Sequence, residues 1–256
     1  MKILLFTVGM LALPVMPAGL LAQDSTNSPG KPLYSWQVLD GAARERVLNQ
    51  LPPQVRIVPS VFPASDGYTM QNGKYLGTGI SLRTLLGCIF NFSPCRIVAA
   101  TPLPEENFDF IANQSDGRAN TAALRREIES QFHLAARTET LDTNVLLLTV
   151  KSRDARGLKP STSASRYSTI NGDHGFYRAD NAPLEFFARQ LEYCLDIPVL
   201  DQTGMAGRFD IDIKWKQLDP KHLDRKDLEQ VLLEQLGLEL VPARKPIKML
   251  IVEKAK

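Results

Sequence analysis

Four apolar residues at helical spacing, Leu82, Leu85, Leu86 and Ile89, return as Leu184, Phe187, Ala188 and Leu191, each displaced by 102 residues. Phe108-Asp109 returns as Phe209-Asp210 at an offset of 101. The stripe Leu124, Ile128, Phe132 returns as Leu228, Leu232, Leu236 at 104, and Lys151 as Lys254 at 103. Small loop insertions account for the drift. A pattern carried over at near-constant offset constrains the chain to build one supersecondary unit twice.

Within each block the periodicities name the elements. Apolar residues three and four apart predict two amphipathic helices, each burying one stripe. Between them lie strand candidates: "RIVA" and "FDFIA" in the first block, "IPVL" and "RFDIDIKW" in the second. Each block closes on a further pair, "HLAART" with "VLLLTVK", then "LELVPA" with "IKMLIVEK". The expected fold class is α+β: two related units, each a small mixed or antiparallel sheet with two helices packed on one face. The units are expected over 54–151 and 176–256, joined by a linker at 152–175 rich in Ser, Gly, Asn and Arg. A polar linker and a short helix, "GAARERVLNQL", occupy 23–53. "RFDIDIKW" alternates most cleanly. Phe209, Ile211, Ile213 and Trp215 are therefore expected to face the helices, and Asp210, Asp212 and Lys214 to face water.

Residues 1–22 read as a signal peptide. Lys2 supplies a minimal positive charge, Ile3 to Leu13 is apolar, Pro14 and Pro17 interrupt it, and small residues lead to Ala22. The stretch is too short and too broken for a stable span. An exported protein, periplasmic or extracellular and without a membrane span after cleavage, is expected. A net charge of +2 over 256 residues implies no large basic patch and gives no support for a nucleic-acid partner. An oxidising compartment permits disulfides. The cysteines are Cys88, Cys95 and Cys194, an odd number, so at least one has no partner within the chain. Cys88 and Cys95 are the candidate disulfide, because a helix-to-strand turn containing Pro94 could bring them together. Three buried thiols with no bond are the alternative.

Chemistry-bearing motifs are scarce. The histidines, His133, His174 and His222, are scattered and no His/Cys cluster has zinc spacing. There is no G-x-S-x-G, no phosphate-binding glycine loop and no C-x-x-C. No catalytic, cofactor-binding or metal-ligating residue is assigned, and no cofactor is expected. Asp210 and Asp212 could pair for acid–base work only if their surroundings drove their pKa values apart. A solvated strand face explains both more simply. In "DQTGMAGRFDI", Gly204 and Gly207 bracket a tight connection into the strand.

The second block carries a resemblance. "APLEFFARQLEYCLDIPVLDQTGMAGRFDIDIKW" followed by "LLEQLGLELVPARKPIKMLIVEK" resembles a large family of exported proteins of unknown function, expanded in soil bacteria of the acidobacterial type. Pro198, Val199, Asp201, Thr203, Gly204, Met205, Gly207, Phe209 and Asp210 match its motif, as do the Gln235 to Leu238 and Lys245 to Ile247 segments. "LPPQVRIVPSVF" and "ENFDFIAN" resemble a branch sometimes joined to thioredoxin-like domains. The stretch "ATPLP" departs from the family, where many members carry Gly-Gly-Pro and a tryptophan. The resemblance implies no established activity and no agreed catalytic residues; the motif residues themselves read as structural. The element order is also similar to the short N-terminal modules of secretins and TonB-dependent receptors, which bind protein partners.

The expected function is an exported, non-catalytic binding module of the cell envelope. Its partner would be an envelope protein or peptide, held at a sheet edge or clasped between the units. The alternative is an accessory to an envelope thiol–disulfide system. The compartment is tested by intact mass on exported protein: the mature chain is expected to begin near Gln23, and a mass retaining Met1 to Ala22 would refute cleavage.

Overall fold

The computed structural model describes residues 37, 48–64, 67–152, 157–164, 169–173, 175–219 and 222–255. Residues 1–22, where a signal peptide is expected, most of the segment before Leu48, and His174 lie outside them.

The first half runs β1 (Val55–Pro59), β2 (Tyr68–Gln71), β3 (Lys74–Ser81), α1 (Leu82–Phe90), a 3-10 turn (Pro94–Arg96), β4 (Ile97–Ala99), β5 (Asn107–Ala112), α2 (Gly117–Phe132) and β6 (Leu134–Val150). The second runs β7 (Leu158–Pro160), β8 (Thr169–Asp173), β9 (Phe176–Ala182), α3 (Leu184–Leu195), β10 (Val199–Asp201) and β11 (Phe209–Lys214). It continues through a small hairpin, β12 (Gln217–Asp219) and β13 (His222–Leu223), to α4 (Arg225–Val231), a π-helical turn (Leu232–Leu236) and β14 (Leu238–Lys254). Two antiparallel sheets have the same order, β1-β5-β3-β2 and β7-β11-β9-β8. The α+β class is as expected, with helices covering one face of each sheet.

Local chemistry sets the boundaries. Ser81 caps α1 by accepting the Thr84 N–H, and Asp224 caps α4 by accepting from Lys226 and Asp227. Asn91, His133 and Asp196 end α1, α2 and α3 in the left-handed region. Asn72-Gly73 turns the β2–β3 hairpin with positive φ at both positions. A Cβ on Gly73 would lie 2.7 Å from the Gly117 Cα. Glycine at both places therefore lets the hairpin turn rest on the start of α2.

The two cores are separate. Phe209, Ile211, Ile213 and Trp215 pack with Leu184, Phe187 and Leu232, and Phe108 and Phe110 with Leu82, Leu85 and Ile128. The sequence patterns located both.

The closing strands differ from expectation. The two candidates at the end of each block are halves of one strand, and β6 and β14, 17 residues each, pair antiparallel from Leu134↔Lys254 to Val150↔Leu238. β4 flanks β14 and β10 flanks β6, both parallel, giving the order β10-β6-β14-β4. Leu146 and Leu148 of the first half thus lie in the second core, and Leu250 and Val252 of the second half lie in the first. A cut at 151/176 would open both cores.

Two expected linkers also contribute structure. β7 and β8, within 152–175, form the edges of the second sheet. Leu48, within 23–53, is fully buried against Leu76 and Ile111 on the outer face of the first sheet. Short strands among polar residues carry no apolar signal of their own, which is why 152–175 reads as loop. Among the described residues, no helix is long and apolar enough to cross a membrane.

Truncating Phe209 to Ala should cost about 3–5 kcal/mol in urea unfolding, through the cavity it leaves. Asp212→Ala should cost under about 1 kcal/mol, because its carboxylate meets Arg178 on an exposed face. Equal costs would refute the assignment of the faces.

Candidate functional site

The two lobes stand at opposite ends of one face of the β6–β14 ribbon. Between them that face is polar and exposed: Thr138, Thr140, Asp142 and Asn144 on β6, Arg244, Pro246 and Lys248 on β14. A cleft of about 540 Å³ opens there. The stripe Glu185, Ala188, Arg189, Glu192 of α3 forms one wall, and Asn91, Phe92, Ser93 and Arg96 of the other lobe face it. Val199, Leu200 and Asp201 of β10 and Lys248 of β14 complete the lining.

A buried carboxylate joins these elements. Glu192 is 3% exposed. Its Oε1 accepts from Arg96 Nε at 2.7 Å and from the Val199 N–H at 2.9 Å; Arg96 Nη2 also donates to it, and Ser93 Oγ donates to Oε2. Every oxygen of the carboxylate is therefore used, which is the condition for tolerating a buried charge. The same groups occupy the outward backbone of Val199 on β10: its N–H goes to Glu192, and Arg96 Nη2 reaches its carbonyl at 3.4 Å. Strand addition is therefore opposed at Val199.

A second open region, about 600 Å³, is lined by Ser81, Arg83 and the segment Ala99 to Glu105. It occupies the place in the first half that the α3–β10 corner occupies in the second. Its cation is committed: Arg83 Nη1 donates to the Pro94 and Ile97 carbonyls at 3.1 and 2.7 Å. The cation at this corner of the first half is thus tied to backbone carbonyls, and the charge left in the lining is Glu105.

The motif residues have structural tasks. The Pro198 carbonyl accepts from the Leu146 N–H at 2.8 Å. Asp201 Oδ1 accepts from the N–H and hydroxyl of Thr203 at 3.0 and 2.7 Å, and Thr203 Oγ1 accepts from the Met205 N–H at 3.2 Å. Gly204 and Gly207 have φ of 65° and 112°, with open space where a Cβ would be. Conformation, not crowding, requires glycine there. Phe209 is core.

Asp210 is more than a wet-face residue, and this corrects the sequence reading. Its Oδ1 accepts the N–H of Asn181, a residue with φ of 58° at a β-bulge where β9 leaves β11. Asp109 does the same in the first half, accepting from Gly79, φ 70°, at 2.7 Å. Asp109 is fully buried, with Gln37 donating to its other oxygen, whereas Asp212 is the solvated member. The repeated Phe-Asp pair is thus a device: Phe fills the core and Asp holds the bulge that turns the strand into a helix.

The Cys88–Cys95 bridge expected from spacing is not formed, and all three cysteines are free thiols. Cys88 interacts with Tyr68, Cys95 Sγ lies 3.3 Å from Ser93 Oγ, and Gln190 approaches Cys194. Each therefore has a local partner of its own. Burial pushes Cys88 and Cys95 each up to about 11, and Cys194 upward. These are thiols at neutral pH, the reverse of a redox nucleophile. Among the described residues no group of three or more His, Cys, Asp or Glu is placed to hold a metal ion. His133 ends α2.

The sequence reading missed Arg96, Arg189, Glu192 and Lys248. Only Glu192 left a signal. It falls four residues after Ala188, on the apolar stripe, where an acid is out of place. Alkylation by iodoacetamide in the folded protein should still be accelerating at about pH 10 rather than levelling near pH 8. An early plateau would revive the thiol reading.

No curated protein and no solved structure matches the chain. The sequence model of a family described as "Protein of unknown function (DUF3738)" matches residues 83–255.

Proposed function

The chain belongs to the DUF3738 family, and on that premise we propose that it is an exported, non-catalytic binding module of the cell envelope, holding a protein or peptide in the cleft between its lobes. The observation that carries this reading is the cleft itself. Both lobes build it, a fully satisfied Arg96–Glu192 pair sets its walls, and Arg189, Lys248 and Glu185 stand exposed within it. A concave site with a few fixed polar groups and apolar patches suits recognition. The hydroxyl–carboxylate pair in its wall, Ser93 with Glu192, is buried, and Arg96 holds that carboxylate as an ion pair. An accessory role in thiol exchange draws no support from thiols that burial holds protonated.

The test is a pull-down from a native envelope fraction with the mature protein and with a variant carrying Arg189→Glu and Lys248→Glu. Both residues are exposed, so the variant should keep the circular dichroism of the parent. A species retained by the parent and lost from the variant is expected. A species retained equally by both would place binding elsewhere and sink the proposal.

A further inference from the structure

The charges of the cleft say what kind of ligand it suits, an inference that rests on the binding reading above. Six charged side chains line it: Arg96, Arg189, Lys248, Glu185, Glu192 and Asp201. Arg96 and Glu192 neutralise each other in the wall. Of the rest, Arg189 donates at 3.0 Å to the neutral amide oxygen of Asn91, and Asp201 spends only one oxygen, on Thr203. Among the described residues neither Glu185 nor Lys248 has an ion-pair partner. Two cations and two carboxylates therefore share one concavity without cancelling. Phe92, Ala188, Val199 and Leu200 belong to the same lining.

A purely anionic ligand would meet Arg189 and Lys248 but also face two carboxylates. A purely cationic one would face two cations. Like charges in a partly desolvated site repel more strongly than in water, so each is disfavoured. A ligand with both charges on a short apolar body satisfies all four groups. The Val199 backbone, already engaged by Glu192 and Arg96, opposes strand addition at that position of β10. We infer that the cleft takes a short zwitterionic peptide, its ammonium toward Glu185 and Asp201 and its carboxylate toward Arg189 and Lys248.

Isothermal titration of the mature protein with three probes decides this: leucyl-leucine, its N-acetyl derivative and its C-terminal amide. The free dipeptide should bind at least about tenfold more tightly than either blocked form, and Lys248→Ala and Glu185→Ala should each cost about tenfold. Both residues are exposed, and circular dichroism checks their folding. Equal binding of a blocked form would overturn the inference while leaving the cleft as the binding site. No heat with any probe would overturn it too, and the pull-down then judges the binding reading independently. Dipeptide binding that survives both substitutions would place the site elsewhere and overturn it.

Discussion

The long pairing of β6 with β14 is the constraint on which the rest of the molecule depends. Each strand serves two cores: its first half faces its own lobe and its second half the other. Leu134 and Ala136 face the first core, and Leu146, Leu148 and Val150 the second; β14 mirrors this with Leu238 and Leu240, then Leu250 and Val252. Neither lobe can bury its helices fully without the other's strand. Most of the decisive contacts therefore join residues about a hundred apart in sequence, and such topologies fold slowly because loop closure precedes reward. The arrangement also fixes the separation of the lobes. They stand on one ribbon, so what joins them is a sheet and not a hinge.

The halves correspond closely in register. Ile97↔Leu250 in one half and Val199↔Leu146 in the other are the same pairing under the offsets of the repeat. Departures from the correspondence are then informative. Phe90 ends α1, while its counterpart Glu192 carries the inter-lobe ion pair. Arg83 ties down a turn, while its counterpart Glu185 stands free in the cleft. Tyr75 pairs with Thr121 at 3.0 Å, while the counterpart hydroxyl of Tyr177 is buried without a partner. The framework is repeated, and the chemistry of the cleft comes from the places where the repeat is broken.

Residues whose burial follows a local period were legible in the sequence. Phe209, Ile211, Ile213 and Trp215 alternate, and Leu82, Leu85, Leu86 and Ile89 keep helical spacing, so one strand and one helix each declare a face. The continuity of β6 was not legible. Thr138, Thr140, Asp142 and Asn144 lie over the gap between lobes, where no core exists to demand apolar side chains, and the apolar pattern lapses there. The opposite face meanwhile carries Val145, which buries with Ile247, Met249 and Ile251. The apolar side thus changes face along the strand, which reads as two strands and a break. Asp210 misled for a different reason: alternation predicts which way a side chain points, not the bulge beside it. Arg96, Arg189 and Lys248 come from three separate elements, so no local spacing could have joined them.

A fixed cleft has an energetic consequence. Glu192 accepts donors from Arg96, Ser93 and Val199, so it links α3, the 3-10 turn and β10. Removing Arg96 would leave the buried carboxylate without its counter-charge, a cost on the order of 3–5 kcal/mol for such pairs. These bonds tie the two walls to each other, so the proposed binding needs no prior closure. In the proposed complex the exposed side chains Arg189, Lys248 and Glu185 lose rotamer freedom on contact, at about 0.5–1.5 kcal/mol each. In the proposed peptide complex those ordering costs come off what the charges return, and the same charges act as selectors: they disfavour ligands that present the wrong sign at either end.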